Sequence, residues 1–203
     1  ESAWTGTIDK SAPTSAGTMT MNLANGARWT NQRLFLGDTV KAAPVVERFT
    51  GGASSANVGI IDQTHGDDLT LKNYSGHAVV WYGHTIAAGV DRDGQPAKVP
   101  TIQGGKVTIT SAAAGSEIRL RTDGTGFDFA SNATAERNLI SATLNALANK
   151  LYYEDYAANP GNLKAYVEIG EGLIGSSARI SKEITTFAKT NPADGTDFQG
   201  NPF

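Results

Sequence analysis

The residues of this chain best suited to chemistry are three histidines, His65, His77 and His84, and a scatter of carboxylates. His77 and His84 flank Val79-Val80-Trp81-Tyr82. Their odd spacing sends them to opposite faces of one strand, so a shared metal needs a bend between them. No His-Glu-x-x-His run occurs, which removes the familiar zinc-protease arrangement. Ser75-Gly76-His77 sets a hydroxyl beside an imidazole, but there is no Gly-x-Ser-x-Gly elbow, and adjacency in sequence does not make a triad.

The carboxylates to weigh are Asp62, Asp67, Asp68, Asp91 and Asp93. Cleaving a polysaccharide by general acid and base needs two or more acids converging on one groove. An extended Asp67-Asp68 pair points one side chain in and one out, and reads as a polar turn leading into Leu69. Asp91-Arg92-Asp93-Gly94 places two carboxylates before a glycine, a fragment of a calcium loop. Gln95-Pro96 does not supply the remaining ligands. Asp123-Gly124-Thr125-Gly126-Phe127-Asp128 echoes a calcium-binding turn only once, whereas such turns work in stacks. Asp91 and Asp93 are thus the calcium candidates, and ordinary turn chemistry accounts for them as well. No catalytic residue and no other cofactor is expected.

Aromatic residues offer the better binding signal. Trp81 and Tyr82 are adjacent, so a strand turns one of them outward. Tyr153 and Tyr156 lie three residues apart at the end of a predicted helix. These four are the candidate ligand-binding residues, because exposed rings stack on sugars or anchor a protein partner. The competing account is that they fill the gap between the helix and a β body.

The elements that must position these residues are short alternating phrases. Thr18 to Leu23, Asp68 to Leu71, Lys106 to Thr110 and Ser116 to Arg121 alternate polar and apolar residues, with Gly, Asn, Asp or Ser between them. Further strands are expected over Val45 to Phe49, Val58 to Ile61, Leu69 to Tyr74, His77 to His84 and Lys164 to Ile169. Residues 88–98 read as a loop, as do Ser11 to Gly17 and Asn191 to Asp197. Ser176 to Phe187 fits either helix or strand. From Asn132 onward the period is helical: Ile140, Leu144, Leu147 and Leu151 form one stripe. Asn132 or Thr134 is placed to cap this helix, and Glu136 to favour its dipole.

This grammar predicts a mainly all-β chain, a solenoid with one helical insertion near 133–151. The alternative is an antiparallel β-sandwich or barrel. The whole of 1–203 reads as a single solenoid fragment, with its insertion over about 132–156. Met21, Leu71, Ile109, Leu120 and Ile169 are expected to line one interior.

Composition sets outer limits. The 203 residues include 39% apolar side chains, 23 glycines and no cysteine. Disulfides and thiolate metal sites are thereby excluded. A net charge of −3 without Lys/Arg clusters argues against a nucleic-acid partner. No apolar run is long enough for a membrane-spanning helix. Glu1-Ser2-Ala3-Trp4 starts abruptly, as an excised fragment would.

Several phrases share a style. Trp4-Thr5-Gly6, Gly26-Ala27-Arg28-Trp29-Thr30, Leu69 to Gly76, Gly104 to Ile109 and Ser116 to Leu120 resemble the passenger rungs of Gram-negative autotransporter adhesins, which use type V secretion. Leu144 to Tyr153 is similar to helical insertions of large passengers. The resemblance covers about two thirds of the chain and is one of rung grammar, without a catalytic signature. It implies a right-handed parallel β-helix displayed at the bacterial cell surface. It also implies a role in adhesion, aggregation or biofilm formation and virulence. The expected partners are a host surface protein or glycan, or a neighbouring cell through self-association. A C-terminal membrane barrel is expected on the full-length chain. Two alternatives stand beside it: a β-helical polysaccharide-degrading enzyme, and a structural stalk that spaces another region from the membrane.

Overall fold

The computed structural model describes residues 2–8, 18–32, 43–91, 93–170 and 178–185. The chain is of the all-β class, mostly strand with one α-helix. In chain order the strands are β1 (Ala3–Thr5), β2 (Thr20–Asn22), β3 (Arg28–Thr30), β4 (Val45–Thr50), β5 (Gly59–Asp62), β6 (Leu69–Ser75) and β7 (His77–Trp81). Then follow β8 (Gly83–Val90), β9 (Pro96–Gln103), β10 (Val107–Ala112), β11 (Ser116–Asp123), helix α1 (Thr134–Ala148), β12 (Leu151–Tyr153), β13 (Leu163–Gly170) and β14 (Ala178–Ile184).

Successive strands alternate between two sheets. The first has the order β1-β3-β5-β7-β11-β13-β14, and the second β12-β10-β6-β4-β2. Every pairing in both is parallel except β13 with β14. Neither sheet closes on itself, and the expected alternative of an antiparallel sandwich or barrel is not what these pairings make. Antiparallel sheets arise from hairpins, and here the chain changes sheet after nearly every strand. The exception is β8–β9, an antiparallel ribbon inserted between β7 and β10.

Alternation explains the burial. In the first sheet Trp29, Ile61, Val80, Leu120 and Val167 share one register row and are all buried. Val46, Leu71, Ile109 and Tyr153 form the facing row in the second sheet. Phe49 and Tyr74 stack at 5.4 Å. The five residues expected to share an interior, Met21, Leu71, Ile109, Leu120 and Ile169, lie in one hydrophobic core. Each buried side chain of this size stabilises by about 1.5–3 kcal/mol relative to exposure.

The two kinds of corner differ. Two of the turns from the second sheet to the first are tight: Gly76 alone joins β6 to β7, and Ala113–Gly115 joins β10 to β11, whereas residues 51–58 join β4 to β5 and residues 154–162 join β12 to β13. Gly76 has φ +75°, and a Cβ there would lie 2.7 Å from the Gly52 carbonyl oxygen, so only glycine fits. Both insertions leave on the way from the first sheet to the second, where residues 63–68 make the short β5–β6 connection. The ribbon β8–β9 follows β7, and α1 follows β11. The two pack on each other through α1 and β9.

Three expected boundaries are corrected. His77 to His84 is two strands, because the chain leaves the first sheet at Tyr82. Residues 88–98 include the end of β8, to Val90, and the start of β9, from Pro96, because β8 and β9 pair along their whole length. The helix ends at Ala148, with Asn149 as its C-cap, so Leu151 to Tyr153 is strand β12 paired with Val107 to Ile109. The helix also starts without a side-chain cap, after Ala133. Strand β14 occupies the ambiguous segment 176–187 as far as it is described. The predicted loops at 11–17 and 191–197 lie outside the described residues.

Candidate functional site

Three surfaces carry the polar side chains. The first is the outer face of the first sheet. Alternation points Arg28, Arg119 and Tyr166 outward in one register row, and Asp62, Trp81, Arg121 and Glu168 in the next. This face is unusually buried for an outward one. Val58, Ile60 and Val79 form a small core of their own there. Glu168 is 1% exposed and accepts hydrogen bonds from Arg121 Nε (2.9 Å) and Nη2 (2.6 Å), from Arg119 and from Ser181 Oγ (3.1 Å). Arg119 also donates to Glu117 Oε1 at 2.7 Å and lies over the Tyr166 ring. The guanidinium is held above its usual pKa: burial lowers it, but Glu117 and Glu168 outweigh that. Arg28 pairs with Asp62. Burial pushes the Asp62 carboxyl up, yet the Thr64 amide and Arg28 win, and its pKa falls below the ordinary 3.8. Most of these charges are paired with one another, although the buried Nε of Arg28 has no hydrogen-bond partner among the described residues.

The second surface is the outer face of the second sheet, which is open. One register row runs Thr20, Arg48, Asn73, Ser111; a second runs Asn22, Thr50, Ser75; a third includes Thr70, Thr108 and Tyr152. Thr20, Asn22, Arg48, Thr50, Lys72 and Asn73 are exposed. Neighbouring strands stand about 4.7–4.9 Å apart, so hydroxyls and amides repeat at that interval. Hydrogen bonds run across the strands: Asn73 Nδ2 to the Glu47 carbonyl (2.7 Å), Ser111 Oγ to the Lys72 carbonyl (3.0 Å) and Ser75 Oγ to Thr50 Oγ1 (3.3 Å). Lys72 pairs with Glu47 at 3.0 Å. The face is rich in hydroxyl and amide groups, several of them held by these cross-strand hydrogen bonds.

The third surface is the lobe made by the ribbon and α1. Glu136, buried in the first turn of the helix, accepts from the Asp128 amide (2.8 Å) and from Lys98 Nζ (3.4 Å). His84 sits at the base of β8. Its Nε2 donates to the Thr125 carbonyl (2.9 Å), so its Nδ1 meets Thr122 Oγ1 at 2.8 Å. The ring packs on Phe127.

The sequence-expected residues do not converge. Tyr82 is 0% exposed and Tyr153 1%, so their rings fill the core and cannot face a ligand. Their hydroxyls are pushed to high pKa by that burial. Trp81 is half-buried within the first sheet's outer face, and Tyr156, also half-buried, donates to the Thr185 carbonyl at 3.1 Å. Tyr153 lies on a strand and Tyr156 on the following 3-10 turn, so they do not share a helix face. Asp91 Oδ1 accepts the amides of Asp93 (2.9 Å) and Gln95 (2.8 Å), which is turn chemistry. Among the described residues no three His, Asp or Glu side chains gather as metal ligands would. Asp68 Oδ1 accepts the Lys106 amide. His77 and His84 lie on different strands, and His77 Nδ1 stands 3.7 Å from Glu117 Oε1.

Sequence reading passed over Glu117, Arg119, Arg121 and Glu168, and placed Glu136 only as a favourable charge in the first turn of the helix. The signal for the first four was present: charged residues hold the outward phase of two alternating strands. Their pairing needed the β11–β13 register. Compared with known proteins, the chain matches no family model, no curated protein and no solved structure.

Proposed function

We propose that this chain is a β-solenoid passenger segment of a bacterial surface adhesin, and that it attaches to its partner through the outer face of the second sheet. The observation that carries this reading is the contrast between the two broad faces. One has most of its charges held in ion pairs; the other presents exposed Thr, Asn, Arg and Lys side chains in register. Extended polar arrays suit recognition of a protein surface or glycan chain. The alternation of parallel strands between two sheets supports a wound architecture, in which each coil buries its inner row only against its neighbours. Crossovers between parallel strands of one sheet are almost always right-handed, which favours a right-handed winding. Surface display, a role in cell attachment and the absence of catalysis belong to the same proposal.

The test is adhesion of the purified chain to cells and immobilised glycans, with heat-unfolded protein as the control. A variant carrying Thr50→Glu, Asn73→Glu and Thr108→Glu charges the open face. Loss of most binding with an unchanged melting temperature is the expected result. Equal binding by the unfolded chain, or by the charged variant, would overturn it. A folded chain that binds nothing leaves the structural stalk as the better reading.

A further inference from the structure

We propose that the outer edge of β8 is a self-association site, where a second copy of this chain pairs antiparallel to make a four-stranded sheet β9-β8-β8-β9. The argument starts from the ribbon's hydrogen bonding. Among the described residues it pairs with no other strand, so neither of its edges is hydrogen-bonded to a further strand. Opposed residues across an antiparallel pair alternate between bonded and non-bonded. Asp91 donates to the Gln95 carbonyl, which puts the odd-numbered residues of β8 in the bonded set. Pro96 and Pro100, opposite Val90 and Ile86, have no amide to donate and belong to the non-bonded set. The amides and carbonyls of Ile86, Ala88 and Val90 therefore point away from β9, toward the outer edge.

The two edges are treated differently by the sequence. Along β9 the outward positions are Pro96, Lys98 and Pro100, the residue types that protect an edge from unwanted pairing. Along β8 they are Ile86, Ala88 and Val90, and the strand contains neither proline nor any Asp, Glu, Lys or Arg. Val90 is 63% exposed, the most exposed large apolar side chain among the described residues. Pairing centred on Ala88 answers both features. It sets Ile86 opposite Val90 of the second copy, twice by symmetry, with Ala88 facing its own equivalent. All three outward amides and carbonyls on each copy are then bonded. A two-fold axis makes the contact self-complementary and closed, and no charged side chain on either β8 opposes it. The contact is short, so it belongs to the weak, concentration-dependent class of interface.

The chain contains no cysteine, which makes the register directly testable. Ala88→Cys places two thiols across a bonded antiparallel pair, with Cα atoms about 5.5 Å apart. That is inside the roughly 4.4–6.8 Å range a disulfide spans. Mild oxidation should give a covalent dimer of twice the 21.2 kDa chain mass, many-fold faster than Ala114→Cys on an exposed turn of the body. Sedimentation of the unmodified chain should show reversible dimerisation rising from micromolar to millimolar protein. Ala88→Pro removes an outward amide without touching the β8–β9 bonds and should abolish dimerisation with unchanged circular dichroism. If that variant misfolds, Ala88→Lys serves the same purpose. A chain that stays monomeric through the millimolar range overturns the proposal. So does dimerisation that survives Ala88→Lys, or equal cross-linking at Ala88 and Ala114. An edge that captures unrelated extended peptides but not its own copy overturns it too.

Discussion

Glu168 shows how single residues hold this molecule. It is almost fully buried among Arg119, Arg121 and Ser181, so removing it takes the carboxylate from the buried Arg121 and leaves Arg119 with Glu117 alone. Glu168→Ala should destabilise the chain by about 3–5 kcal/mol, measured by urea unfolding. Asp62 makes the corresponding statement about pH. Its folded pKa lies below the ordinary 3.8, so its stabilising effect is complete above that value. That effect is lost as pH falls through the lowered folded pKa. Asp62→Asn should flatten the acid limb of the stability profile below about pH 4 and change little of its shape at neutral pH. Two tyrosines give opposite outcomes. Tyr74 donates to the Glu117 carbonyl at 2.6 Å, and Tyr74→Phe should cost about 0.5–1.5 kcal/mol. The Tyr82 hydroxyl is buried with no hydrogen-bond partner among the described residues, so Tyr82→Phe should be neutral or stabilising in the same assay.

At the scale of elements, Glu136 fastens the lobe, joining the loop before α1 to Lys98 on β9. A two-stranded ribbon is marginal by itself in water. Glu136→Ala should therefore speed amide exchange in β8 and β9 while leaving both large sheets as protected as before. This scale also shows what the sequence could and could not display. Leu69 and Leu71, Val107 and Ile109, and Ile118 and Leu120 announced their strands because alternation reports one-sided burial. Tyr82 hid a strand end, since a buried aromatic where the chain changes direction looks like more strand. Leu151 continued the helical spacing of Leu144 and Leu147 by coincidence; it is buried from a different element. Asp91 to Gln95 drew attention to a turn, and its polarity spread over Ala87 to Val90 and Pro96 to Val99, which lack the β-branched runs of a typical strand. The ion pairs of Glu168 were invisible, because Arg121 and Glu168 meet only through register.

Across the whole molecule, one hydrophobic core contains side chains from Met21 near one end to Ile184 near the other. Trp29 is buried toward the first end, its Nε1 bonded to the Gly6 carbonyl and its ring stacked on the half-exposed Trp4. In a Trp81→Phe variant, which removes the third tryptophan from β7, fluorescence thus reports this end while far-UV circular dichroism averages all strands. With a continuous core the two urea transitions should coincide. An early fluorescence transition would show that the first strands melt separately. The unequal corners have a practical consequence as well. Gly76 alone welds β6 to β7, whereas the corners after β7 and β11 already carry a ribbon and a helix without loss of register. Foreign loops or epitopes should therefore be graftable at those two corners and not at Gly76, making the fold a display scaffold with defined insertion points.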